Sequence, residues 1–126
     1  MKVVYAALIM LLGIGIFIGI HSTVMAKLSN ELDDICKKTE VLAVANDWNG
    51  TSEELAKAKS KWDKCRFWAS LTISTNEIDK IEISLQQSMA FAKLKAKPDF
   101  FGEFTVFHML IKRIPMKEGV HLEEIL

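Results

Sequence analysis

The chain has 126 residues, half of them hydrophobic and a quarter charged, with 16 basic and 16 acidic side chains that leave a formal net charge of zero. A balanced charge offers no basic surface to displace phosphate counterions, which argues against nucleic acid as a partner. With only two prolines and six glycines, and apolar residues recurring at helical spacing, disorder is excluded for most of the length, and the part beyond the first twenty residues is one modest domain.

From Val3 to Ile20 there is no charged side chain. Eighteen residues at 1.5 Å each make a helix of about 27 Å, enough to cross a hydrocarbon core roughly 30 Å thick. Lys2 precedes the run and the first charge after it is Lys27, followed by Glu31, Asp33 and Asp34. The positive-inside bias therefore predicts a single-pass cell-membrane protein with a cytoplasmic N-terminus and residues 24–126 outside. Two readings of residues 1–23 stay open. One is a retained signal-anchor embedded through residues 3–20. The other is a cleaved signal peptide, for which Val24 and Ala26 supply small residues at leader-peptidase spacing, although such leaders have shorter apolar cores of about 7–15 residues. Gly15 and Gly19 form a small-xxx-small pair compatible with a homodimer of anchors, but glycine is common in membrane helices and the pair needs no dimer to explain it.

Beyond the anchor the apolar positions Met25, Leu28, Leu32, Ile35, Thr39, Leu42 and Asn46 step by threes and fours, which predicts a helix continuing from the anchor and ending near Asn49-Gly50. Thr51 and Glu54 form a capping box for a second helix with the stripe Leu55, Ala58, Trp62, Cys65 and Ala69. Phe67, Trp68 and Leu71 lie off that stripe, so this helix is expected to sit centrally, buried on two sides. Ser74 and Glu77 open a third helix striped by Ile78, Ile81, Leu85, Met89 and Ala92, stopped by Lys97-Pro98. A fourth begins near Asp99 with Phe100, Phe104, Phe107, Ile111 and Ile114 inward and Pro115 as its end, leaving Val120–Leu126 to dock as a last turn. The fold class expected is all-α: an N-terminal transmembrane helix followed by a small antiparallel bundle of about four helices. Trp48, Trp62 and Trp68 are expected in its core.

Few residues carry chemistry. None of His21, His108 and His121 is three or four residues from another or from a cysteine, so no metal site is expected. His108 reads as a boundary residue with one satisfied nitrogen rather than a general base, and His21 as a polar group at the membrane interface. Asp79 and Glu82 share a helix side as ordinary solvated charge. The basic positions Lys57, Lys61 and Lys64 fall on one side of the second helix and Lys59 and Arg66 nearly opposite, flanking the apolar stripe instead of forming one binding face. Cys36 and Cys65 stand about equally far from a reversal at residues 49–51. They could face each other, but helix axes 8–10 Å apart keep most facing Cα atoms beyond disulfide reach, and two free thiols are expected. No nucleophile, paired acid or cofactor site can be assembled, so no enzyme and no cofactor is expected.

Asp47-Trp48, Trp62, Trp68, the string Glu77-Ile78-Asp79-Lys80-Ile81-Glu82-Ile83-Ser84, Ile114-Pro115 and the terminal Leu122-Glu123-Glu124-Ile125-Leu126, in that order, resemble the uncharacterised bacterial domain-of-unknown-function family 4363. The likeness extends over nearly the whole chain, anchor included. It implies a short protein with an N-terminal membrane helix and a helical remainder, of a kind found mostly in spore-forming Gram-positive bacteria, and carries over no catalytic residue. Thr75-Asn76 and Glu124 depart from the pattern, which weighs against a ligand or metal at those positions. The function expected is that of an interaction or structural module with an unknown membrane or envelope protein partner. The alternative is a domain binding a small apolar or lipid ligand among its phenylalanines and tryptophans.

Overall fold

The computed structural model describes the backbone of residues 1–125 and the side chains of residues 1–114. Four helices succeed one another: α1 (Lys2–Val44), α2 (Trp48–Ser70), α3 (Thr75–Leu94) and α4 (Lys97–Ile125). Short connections make each helix antiparallel to the last, and α4 packs back on α1, so the four form a closed ring with no helix at its centre. α1 runs unbroken from the apolar segment into this bundle. Its first part is long and apolar enough to cross a membrane, with none of the apolar window buried. From His21 onward, Met25, Leu28, Leu32, Ile35, Cys36, Thr39 and Ala43 are buried.

The core follows the stripes legible in the sequence, except that Cys65 and Met89 are only partly buried, Asn46 is exposed and Ala43 is buried in place of Leu42. Leu55, Ala58, Trp62 and Ala69 of α2, Ile78, Ile81, Leu85 and Ala92 of α3, and Phe100, Phe104, Phe107, Ile111 and Ile114 of α4 close on the α1 stripe. Each large member contributes roughly 1.5–3 kcal/mol by leaving water. The buried hydroxyls of Thr39, Ser84 and Ser88 donate to carbonyls three or four residues back in their own helices, so they cost no unpaired donor.

Several expectations need correction. The first reversal lies at residues 45–47, not at Asn49-Gly50. Asn46 takes the left-handed conformation (φ 61°) and Asp47, not Thr51, caps α2, its Oδ1 accepting from the Gly50 N–H at 3.0 Å. Gly50 bears on space instead of conformation, because a Cβ there would stand 2.7 Å from Asp47 Oδ2 and the capping carboxylate would have to shift. α3 ends at Leu94 with Lys95 left-handed, and Pro98 sits in the first turn of α4, where its missing N–H would be unpaired anyway. α2 is not central, since in the ring it touches only α1 and α3, and Phe67 and Leu71 are exposed. Of the tryptophans only Trp62 is buried. Trp48 and Trp68 lie at the two ends of α2 and cover the core's edges.

Pro115 does not end α4, which continues to Ile125. A proline at that position cannot donate to the carbonyl four residues back, which belongs to Ile111. Ser29 of α1 supplies the missing donor, its Oγ lying 3.3 Å from the Ile111 oxygen in a buried setting. The docking expected of Val120–Leu126 lies outside the described side chains.

Candidate functional site

Three polar arrangements and one groove are the places where this bundle can do something other than pack. The first is at the junction of the apolar segment with the bundle. His21, buried on α1, donates from Nε2 to the carbonyl of Trp68 at 2.8 Å. That carbonyl, in the last turn of α2, also accepts the Leu71 N–H at 3.3 Å, so His21 brings it a second donor from α1. Around it the Trp68 ring packs against Phe17 at 5.6 Å, His21 at 6.0 Å and Phe67 at 6.1 Å between centroids.

The second lies between α1 and α4. His108 Nε2 donates to Asp33 Oδ1 at 2.6 Å, and Lys37 pairs with Asp33 at 3.2 Å. The His108 bond, with the Lys37 contact after it, holds the Asp33 carboxyl below its ordinary value of 3.8 against the opposing effect of partial burial. Cys36 is one helical turn further along α1, but burial, with Asp33 adding to it, pushes its thiol up to about 12, which removes it as a nucleophile. The His108–Asp33 bond thus braces α4 against α1.

The third joins α2 to α3. Trp62, buried for packing, must find an acceptor for its indole N–H, and Glu82 Oε1 accepts it at 3.2 Å. Arg66 pairs with the same carboxylate oxygen. Glu82 is therefore not the freely solvated charge expected of it. On the other side of α2, Lys61 reaches Glu31 of α1 at 2.9 Å and holds that carboxyl below its ordinary range. The split of positive charge about the apolar stripe thus fastens α2 to a neighbour on each side.

Both cysteines are free. The moved reversal explains why: Lys61 stands level with Glu31 and Trp68 with His21, so Cys65 is level with the region of Met25. That is about ten residues, or roughly 15 Å, along α1 from Cys36. Among the described residues no three His, Cys, Asp or Glu side chains gather as a metal would need.

The phenylalanines expected in the core, which the alternative reading would have line a ligand site, pack on one another. Phe100 stacks on Phe104 at 5.2 Å, meets Phe101 at 5.3 Å and takes the Trp48 ring edge-on at 5.6 Å. A surface groove of about 380 Å³ opens on the outer face of α3 and α4, between Ile83, Val106, Met109 and Leu110, with Lys80 and Arg113 among its charged residues. A second opening of about 220 Å³ beside His108 is bordered by Phe101 and Phe104.

The model of a protein family described as a domain of unknown function, DUF4363, matches residues 20–125. The chain belongs to this family. The match begins at Ile20, so most of the apolar segment lies outside it, whereas the resemblance drawn from the sequence took the anchor in. The DUF4363 region coincides with the bundle, from its first buried residue, His21, to the last turn of α4. No curated protein and no solved structure matches the chain.

Sequence reasoning missed the acceptor role of Glu82 and the donor role of Ser29. The first had a trace in the sequence, since a tryptophan mid-stripe needs a polar partner. The second had half a trace, in a proline near the end of an apolar stripe.

Proposed function

We propose that this DUF4363 protein is a single-pass protein of a bacterial cell membrane, its N-terminus cytoplasmic, whose extracytoplasmic bundle acts as a docking or structural module and not as a catalyst. The observation that carries this reading is the unbroken passage of α1 from a wholly exposed apolar stretch into a bundle with a closed core. An apolar stretch left bare in water is a liability, whereas in a bilayer it is simply solvated. The same continuity favours a retained signal-anchor over a cleaved leader. Cutting after Ala26 would remove His21 with its bond to Trp68 and the fully buried Met25. The three polar clusters brace helices, which supports a module over an enzyme. The ligand-binding alternative draws less support, since Phe100 and Phe107 are fully buried among other side chains.

A module of this kind works by holding a protein partner of the same membrane, and the α3–α4 groove offers that partner its apolar side chains. The test is a photo-reactive amino acid at Met109 in the intact membrane protein, with the exposed Leu94 as control. A discrete protein adduct at Met109 and none at Leu94 is expected. Equal, diffuse labelling at both would remove the docking role. Orientation is checked by an epitope after Leu126, which external protease should remove from intact cells.

A further inference from the structure

The end of α2 is apolar where a helix terminus in water has no reason to be. Phe67 is 67% and Leu71 45% exposed, and both stand beside Trp68, which is only partly covered. Their height is set by α1. Trp68 is tied at its carbonyl to His21 and at its ring to Phe17, which lies inside the uncharged run. Because α2 runs antiparallel to α1, Phe67 stands near the level of Ser22 and Leu71 near that of Ile18, with the α2–α3 turn beside it. If Val3–Ile20 fills the hydrocarbon, this whole end of the bundle lies at the boundary where tryptophan and other amphipathic rings are enriched.

We infer that Phe67, Trp68 and Leu71 form a second membrane contact, a footing by which the bundle sits in the lipid interface beside its own anchor instead of standing clear of the bilayer. The occupant of this apolar patch is lipid: glycerol and upper acyl chain around Phe67 and Leu71, with the exposed Lys64 one turn higher at the headgroups. Three observations point the same way. The patch is continuous with the exposed face of the anchor through the Phe17–Trp68 contact. The α1 helix has no linker at this level that would let the bundle tilt away. At the opposite end of the same bundle, the reversals at residues 45–47 and 95–96 are closed by polar groups. Interfacial burial of aromatic and leucine side chains follows the same area dependence as any apolar transfer.

The inference rests on the membrane-spanning reading of α1, and its test separates the two. Nitroxide labels are placed one at a time at Met10→Cys, Phe67→Cys, Leu71→Cys and Leu94→Cys in the full chain carrying Cys65→Ser, the deeply buried Cys36 being protected from labelling. The protein is reconstituted in phosphatidylcholine–phosphatidylglycerol vesicles, and collision with oxygen, which concentrates in lipid, is compared with collision with a water-soluble nickel chelate. Met10 is expected to favour oxygen strongly, Leu94 the chelate, and Phe67 and Leu71 to favour oxygen several-fold over Leu94. Lipid-like Met10 with water-like Phe67 and Leu71 overturns the footing and leaves the anchor intact. A water-like Met10 overturns the anchor reading and the footing with it. Circular dichroism of each labelled protein, matched to the unlabelled chain, excludes misfolding as the source of any result.

Discussion

Two helix C-termini in this protein are capped by side chains from elsewhere, and they are capped differently. At the end bearing the α1–α2 reversal, the ammonium of Lys97 donates to the Val44 carbonyl at 3.2 Å and to Asn46 Oδ1 at 3.3 Å, in an exposed setting. At the other end, the imidazole of His21 donates to the Trp68 carbonyl beneath a cover of rings. Both answer the need of terminal carbonyls for donors. A lysine suffices where water can take over, whereas at the covered end the imidazole joins the Leu71 N–H, 3.3 Å from the same oxygen, and leaves water no role. One end therefore has a wet cap and the other a cap covered by rings, and the covered one adjoins the apolar segment, although Val44 and Leu94 are exposed at the wet end too.

The largest expected effect belongs to the residue between the two ends. Trp62→Ala should destabilise the bundle by about 3–5 kcal/mol, through the cavity and the loss of its bond to Glu82. Chemical unfolding of the intact protein in micelles checks it, and an unchanged midpoint would mean that the ends hold together without a middle. Next, Ser29→Ala should cost about 1–3 kcal/mol by orphaning the Ile111 carbonyl. In a Pro115→Ala background, where the helix regains its own N–H, that cost should shrink, and a double-mutant cycle with no coupling would refute the account of α4's continuation.

The contrast of caps is itself testable. His21→Ala should cost about 0.5–1.5 kcal/mol, the net worth of one hydrogen bond, and Lys97→Ala only a few tenths, because water replaces the exposed donor. Equal costs in matched unfolding curves would erase the distinction. At the wet end, Gly50→Ala should destabilise by about 1 kcal/mol by displacing Asp47 from the α2 terminus, although alanine is the better helix former. In an Asp47→Ala background the same change should become stabilising, and a sign that stays put would show that Gly50 serves something other than the cap. The smallest effect is electrostatic and belongs to neither end. Asp33 has its pKa lowered on folding, so its contribution is present above the unfolded value near 3.8 and is lost as pH falls through the folded one. Asp33→Asn should flatten that part of the acid-stability curve, and an identical curve would show the His108 brace to be idle.

Most of the fold was legible because its determinants are local. The stripes marked the four buried faces, and Ser74, three residues before Glu77, marked the start of α3, where its Oγ accepts from the Glu77 N–H at 3.3 Å. Two of the misread boundaries share a physical cause. Gly50 signals a break by its freedom, but here its smallness matters, and only the position of the Asp47 carboxylate reveals that. Pro115 signals a stop because its own helix cannot repair the lost bond, and the repair comes from Ser29, distant in sequence. The cysteine register failed in consequence, since it was measured from the wrong reversal. The site residues were the least legible, because a histidine or glutamate acquires its role from whichever helix lies opposite, and spacing along one helix does not report that.

The absence of any break in α1 also sets the azimuth of the bundle about the axis of the apolar segment. In a continuous helix each residue adds about 100° of rotation with its 1.5 Å of rise. One residue inserted between Ile20 and His21 would swing the whole bundle by that angle about the segment below and carry Trp68 away from Phe17. Here residue number acts as a gear: the side that the α3–α4 groove presents to its surroundings is fixed by the orientation of the apolar segment, and a twist applied at one passes to the other.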